Sequence, residues 1–273
     1  MRAALLGEYR KFTTTRMWWV LLITMALYMM FLGAVMAYSF SLDPSGGGMG
    51  MGGNGGEELT LSPIALALSV YTLAPTLGYV FPVIIGAMSV TGEFRHMTVT
   101  PTLLAEPRRS VVLGAKLVAS LPVGFLYGVA GTLSTVGAGA AVLAIMGKDP
   151  MLGDPEVLRT LAFSVVALTV WALVGVGFGA ALKNQVVSIV VVLAFTQLVE
   201  PILRIALGMI EATTGIPKWL PGAAGEAVAG SSLYSVTGLN DLLTRWQGLA
   251  VLIGYALVLA AIGRFTTLRR DIT

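Results

Sequence analysis

Residues 17–42 read Met-Trp-Trp-Val-Leu-Leu-Ile-Thr-Met-Ala-Leu-Tyr-Met-Met-Phe-Leu-Gly-Ala-Val-Met-Ala-Tyr-Ser-Phe-Ser-Leu. No Asp, Glu, Lys or Arg interrupts these 26 positions between Arg16 and Asp43. A bilayer's hydrocarbon core is about 30 Å thick and a helix rises about 1.5 Å per residue, so about 20 apolar residues cross it. The stretch exceeds that length. It is also far longer than the apolar core of a secretory signal, about 7–15 residues. It reads as a retained membrane helix.

The same test applied along the chain finds further charge-free runs. They hold 34 residues between Glu58 and Glu93, 31 between Lys116 and Lys148, 23 between Arg159 and Lys183, and 18 between Arg245 and Arg264. A run of 16 between Lys183 and Glu200 resumes its apolar character through Ile202, Leu203, Ile205, Leu207 and Ile210. Six transmembrane helices are predicted, at about 17–41, 66–91, 113–146, 159–182, 186–210 and 247–265. The fold class is all-α, a single polytopic membrane domain. Composition agrees. Only 11% of the 273 residues are charged and 56% are hydrophobic, whereas an average soluble domain is about 25% charged. A soluble enzyme is excluded on that ground. Without cysteine and with one histidine, His96, thiolate and multi-histidine metal centres are excluded as well.

The few charges set the topology. The N-terminal segment, the loop after the second span, the turn at Lys183 and the C-terminus hold 12 of the 17 basic residues and four acids, a balance of +8. The alternate segments hold five bases and ten acids, a balance of −5. Lysine and arginine accumulate on the cytoplasmic side, so both termini are expected there. The basic pI near 9.3 is then a consequence of topology, and no nucleic-acid partner is implied.

Between the spans, residues 1–16 place Leu5, Tyr9 and Phe12 on one helical face, with Lys11 and Thr14 opposite. This suits either an interfacial helix or an extension of the first span. Residues 45–58 contain a glycine-rich run that reads as a flexible outer linker. Residues 92–112 interleave charges with Phe94, Met97, Val99, Leu103 and Leu104, a pattern that suits a docking surface or an ordinary loop packed on its own helices. Residues 211–240 are too apolar for a solvated loop and too broken by Gly and Pro for a span. Short interfacial or re-entrant helices are expected there. Within the spans, Gly124/Gly128 and Gly175/Gly179 have the spacing that lets helix backbones approach closely. Pro75 and Pro82 are candidates for a kink in the second span. Glu200 and Arg204 have the i,i+4 order of a helical ion pair, with Gln197 one turn away. An intramembrane pair of this kind is either a functional site or a structural cap.

The segment after the second span resembles the membrane subunits of ABC-2 type transporters, bacterial exporters of drugs, lipids and polymers. The matching residues are Glu93-Phe94-Arg95-His96, Thr98, Thr100-Pro101-Thr102, Pro107-Arg108-Arg109 and Lys116-Leu117. The Thr-Thr-Thr-Arg-Met-Trp-Trp stretch at 13–19 and the Arg-Arg-Asp tail fit the same family, and actinobacterial members are the most similar. Met97 departs from it, standing where similar sequences often have glycine. The resemblance implies a plasma-membrane permease whose coupling helix docks into a separate P-loop ATPase. Glu93, Phe94, Arg95, His96, Arg108 and Arg109 would lie in or beside that contact. It further implies a permease dimer, homo- or heteromeric, surrounded by membrane lipids, with an amphipathic or lipid-like substrate moved between the halves. This sequence has no Gly-x-x-x-x-Gly-Lys-Ser/Thr run. It is therefore not expected to be an ATPase or to hold a cofactor of its own, since ATP and magnesium would bind the partner. Two other readings are an immunity or sensing module that moves little material, and a channel or scaffold subunit working without an ATPase.

Overall fold

The computed structural model describes residues 2–42, 62–208, 210, 213, 215–232 and 242–266. The glycine-rich segment and the Arg-Arg-Asp tail lie outside these residues. The described chain is helical, with no strand among the described residues. Helix α1 (Arg2–Thr14) precedes α2 (Met17–Leu42). Then come α3 (Pro63–Tyr71), α4 (Val80–Arg95), α5 (Val99–Ala105) and α6 (Arg109–Ile145). The chain continues through α7 (Pro155–Ala181), α8 (Gln185–Ala194), α9 (Glu200–Gly208), α10 (Pro221–Ala229) and α11 (Arg245–Thr266). Six helical stretches are long and apolar enough to cross a membrane: Met17–Leu42, Pro63–Arg95, Arg109–Ile145, Pro155–Ala181, Gln185–Gly208 and Arg245–Thr266. This makes the chain a multi-pass membrane protein.

The spans start and stop differently from their charge-free runs. The second span continues to Arg95, beyond Glu93, and the third begins at Arg109, before Lys116. A charge-free criterion truncates both because Glu93 and Lys116 are inside helices and pair with each other. A paired charge is compatible with burial, whereas an isolated one is not.

Two spans contain a wide, π-helical turn, at Ala74–Gly78 and at Phe195–Val199. A proline inside a helix crowds the carbonyl four residues earlier and lacks the N–H that would bond to it. For Pro82 that carbonyl belongs to Gly78, and for Pro201 it belongs to Gln197. Both lie within the π-helical turns, which widen the backbone where the proline rings need room. In the second span the widened turn Ala74–Gly78 contains Pro75 and precedes Pro82.

Helix α7 is the centre of the bundle, packed against α4, α6 and α11. A Cβ added at Gly175 would strike the Val83 carbonyl, and one at Gly179 the Ala87 carbonyl. Gly86 of α4 would strike the Ala172 carbonyl in return. These glycines bring α4 and α7 into backbone contact. Gly124 and Gly128 do the same for α6 and α7, where a Cβ would come within 2.8 Å of the Thr169 and Val165 carbonyls respectively. Both pairs therefore mediate packing within one chain. Trp171 is buried on α7 and stacks on Tyr79 at 4.3 Å between ring centroids. By contrast, α2 turns Ile23, Leu27, Phe31 and Val35 outward, a face suited to lipid.

Substituting Gly175→Ala is expected to force α4 from α7 and to lower stability by about 1–3 kcal/mol, the usual range for overpacking. Gly137→Ala, where a Cβ meets nothing within 4 Å, is expected to be neutral or stabilising. Thermal denaturation of both variants in detergent measures the difference.

Candidate functional site

The candidate site is built where α1, α4, α5 and α6 meet. Helix α4 ends in a Schellman motif: Thr98 N–H donates to the Glu93 carbonyl at 2.9 Å and Met97 N–H to the Phe94 carbonyl at 3.4 Å. This motif needs a left-handed residue after the cap. Met97 fills that place with φ 55°, which is why glycine would suit the position. The same motif ends α6, with Gly147 at φ 72° and Lys148 N–H donating to the Leu143 carbonyl at 2.9 Å. The turn reverses the chain into α5, whose Val99 is buried while Leu104 stays 78% exposed.

Beneath this turn lies a buried ion network. Lys116 of α6 is only 4% exposed, and its ammonium has three N–H donors. They meet Glu8 Oε2 of α1 at 2.8 Å, Glu93 Oε1 of α4 at 2.8 Å, and the Ser89 carbonyl at 2.9 Å. Lys11 of α1 donates to Glu8 Oε1 at 2.9 Å, to Glu93 Oε1, and to Thr102 Oγ1 of α5 at 3.1 Å. Partial burial opposes the charge on Lys11, but the hydrogen bonds to Glu93 and Glu8 outweigh it and hold its ammonium above the usual lysine range. A raised lysine keeps its contribution at all pH values below the ordinary lysine range, so the Lys11 pairing persists through neutral pH. Two cations meet two carboxylates, and the network is electrically balanced. It ties α1, α4, α5 and α6 through side chains distant in sequence.

The expected contact residues divide between two sides of this network. Glu93 faces inward as the shared acceptor. Phe94 is half-buried against the cluster of Val90, Leu113, Val176, Ala180 and Ala260. Arg95 is exposed and donates to Gln185 Oε1 at 3.4 Å. His96 and Met97 are exposed, and Arg108 makes a surface pair with Glu106 at 2.9 Å, of a kind that adds little stability. Arg109 opens α6 and is half-buried. Lys11 was expected on the polar face away from Leu5, Tyr9 and Phe12. It points into the network, while Tyr9 is exposed and Phe12 packs on Trp18 at 5.7 Å between ring centroids.

A second buried network lies in the far half of the bundle. Gln185 sits beside Arg95, and fifteen helical residues, about 22 Å, separate it from Glu200. Arg204 donates to Glu200 Oε1 through Nε at 3.1 Å and Nη2 at 2.7 Å, and to Glu226 Oε2 through Nη1 at 2.9 Å. Ala223 N–H, in the first turn of α10, also donates to Glu200 Oε1, at 3.0 Å. Gly222 permits this approach, since its Cβ would come within 2.6 Å of both Arg204 Nη2 and Glu200 Oε1. Gln197 joins less directly, donating to the Tyr79 hydroxyl at 3.2 Å, which in turn donates to the Thr196 carbonyl at 3.1 Å. Segment 211–240 thus contributes α10, a wholly buried helix packed on α7 and α11.

Glu8, Lys11 and Glu226 are functional candidates that the sequence did not single out, and Lys116 was noted only as part of the resemblance. For Glu226 there was a signal: it is the one charge within the small-residue run Pro221–Gly230. Compared with family models and with curated proteins, the chain matches none.

Lys116→Met would leave Glu8 and Glu93 buried with only the half-exposed Lys11 as a counter-charge. Breaking a buried pair by removing one partner costs about 3–5 kcal/mol. The expected outcome is a loss of that order in unfolding free energy, together with earlier cleavage of the α1–α2 junction in limited proteolysis.

Proposed function

We propose that the chain is the permease subunit of an ATP-driven exporter of the ABC-2 type, in a bacterial plasma membrane with both termini cytoplasmic. The observation that carries this reading is the bracing of the α4–α5 turn. Its outer side presents Arg95, His96, Met97 and Leu104, a mixture of charge and exposed apolar surface suited to a protein contact. Its inner side is bonded through Glu93 and Thr102 to α1 and α6. A push on α5 therefore reaches two long spans without passing through a flexible link. The Glu-Phe-Arg-His and Thr-Pro-Thr resemblance falls on this same turn.

In this reading a separate P-loop ATPase binds ATP and magnesium and grips α5. ATP-driven closure moves α5, and the buried ion network carries the displacement to α4 and α6. Such coupling requires an interface whose two arrangements the ATP state biases differently. A second permease subunit, the same or related, completes the substrate path, and α10 with its neighbours forms the outer closure. The apolar outward faces of α2 and α8 suit lipid contact and an amphipathic or lipid-like substrate.

The test is purification of the tagged chain from its native membrane, with the bound fraction probed for a P-loop ATPase. Recovery of a stoichiometric complex is expected. Arg95→Ala combined with Leu104→Glu should weaken it about tenfold, equivalent to about 1.4 kcal/mol, without changing the permease's own thermal stability. Failure of the wild-type chain to retain any ATPase would overturn the reading.

A further inference from the structure

The two buried networks differ in charge. At the α1 end two lysines face two glutamates. In the far network a single guanidinium, Arg204, faces Glu200 and Glu226. All three side chains are nearly inaccessible, with Glu200 1%, Arg204 4% and Glu226 2% exposed. Arginine does not give up its proton in a protein. Fully ionised, the group would carry one negative charge in the interior.

An uncompensated buried charge is far more costly than binding a proton, so such groups neutralise instead. The hydrogen bonds to Glu200 are unevenly placed. Three donors converge on Glu200 Oε1: Arg204 Nε, Arg204 Nη2 and Ala223 N–H. Its other oxygen, Oε2, is buried with no hydrogen-bond partner. The side of the bundle that holds this group supplies no second cation to it. Among the described residues, Lys148, Arg159, Lys218 and Arg245 form no salt bridge with either carboxylate. Arg245 instead reaches Thr160 at 3.2 Å and Glu156 at 4.0 Å.

We propose that Glu200 and Glu226 together bind one proton, held in a site formed by α9, Arg204 and the first turns of α10. The other titratable groups near the site are Tyr79 from the turn before α4 and Tyr255 from α11, with Arg245 and Glu156 beyond the end of α10. Of these only Glu156 is a carboxylic acid, and its ion pair is with Arg245. Loss of the proton would place a second full negative charge against one arginine and loosen α10 from α9. The site therefore couples occupancy by a proton to the seating of α10. It stands independently of the exporter reading, because it needs only this chain.

The experiment is infrared difference spectroscopy of the full chain in lipid nanodiscs, with carboxyl-13C glutamate labelling and exchange into heavy water. The wild type should show one protonated glutamate carboxyl per chain at neutral pH. Glu226→Gln and Glu200→Gln should each abolish it, because the remaining carboxylate then pairs one-to-one with Arg204. Glutamine mimics the protonated acid and should leave the fold intact. If either variant fails to fold, replacing both glutamates by aspartate keeps two carboxyls, and the protonated band must then follow labelled aspartate. A wild type with no protonated carboxyl, a band that persists in either glutamine variant, or a band that stays on glutamate in the aspartate pair would overturn the proposal.

Discussion

One lysine holds the α1 end of this protein together. The ammonium of Lys116 has three donors, and three different acceptors satisfy them: Glu8 on α1, Glu93 on α4 and a carbonyl one turn earlier on α4. A buried ammonium tolerates no less, because an unmet donor there costs as much as a hydrogen bond is worth in a low-dielectric interior. The requirement ties α1 to α4 and α6. It also explains why α5 is not a loose loop, since Lys11 extends the network to Thr102. The ionic floor beneath the α4–α5 turn gives that turn stiffness, which the proposed coupling role requires.

The rest of the bundle depends on close backbone contact around α7. Apolar side chains gain little by leaving lipid for protein, so packing within a membrane relies on shape and small residues. The glycines of α4, α6 and α7 supply that shape. The two π-helical turns are a further consequence of the sequence, placed so that the carbonyls ahead of Pro82 and Pro201 are not crowded. The second turn also lies directly before Glu200 and so sets the direction from which α9 offers its carboxylate to α10.

The architecture was largely legible in the sequence, because charge-free runs and the length of a bilayer crossing are strong local signals. All six spans fall within four residues of their predicted bounds. The charge-free runs stop short at Glu93 and Lys116 for one reason: a charge normally marks a helix end, but a pair of charges distant in sequence can be buried together. No local pattern joins Glu8 to Lys116 across 108 positions. The Glu200–Arg204 pair was readable because its partners lie on one helix, whereas Glu226 enters the same network only through the fold. Met97 shows the opposite case. The departure from glycine noted in the sequence coincides with a left-handed backbone position, so a single residue type carried the geometry of the turn.

The central claim is that Lys116 pins α1 to α4, and that the pinned α1 holds α5 through the Lys11–Thr102 bond. Spin labels at Leu6 and Leu104, both exposed, allow the separation of the two helices to be measured by double electron–electron resonance. In the wild-type background a single narrow distance distribution is predicted, broadening into several populations in Lys116→Met. An equally narrow and unshifted distribution in Lys116→Met would contradict the account.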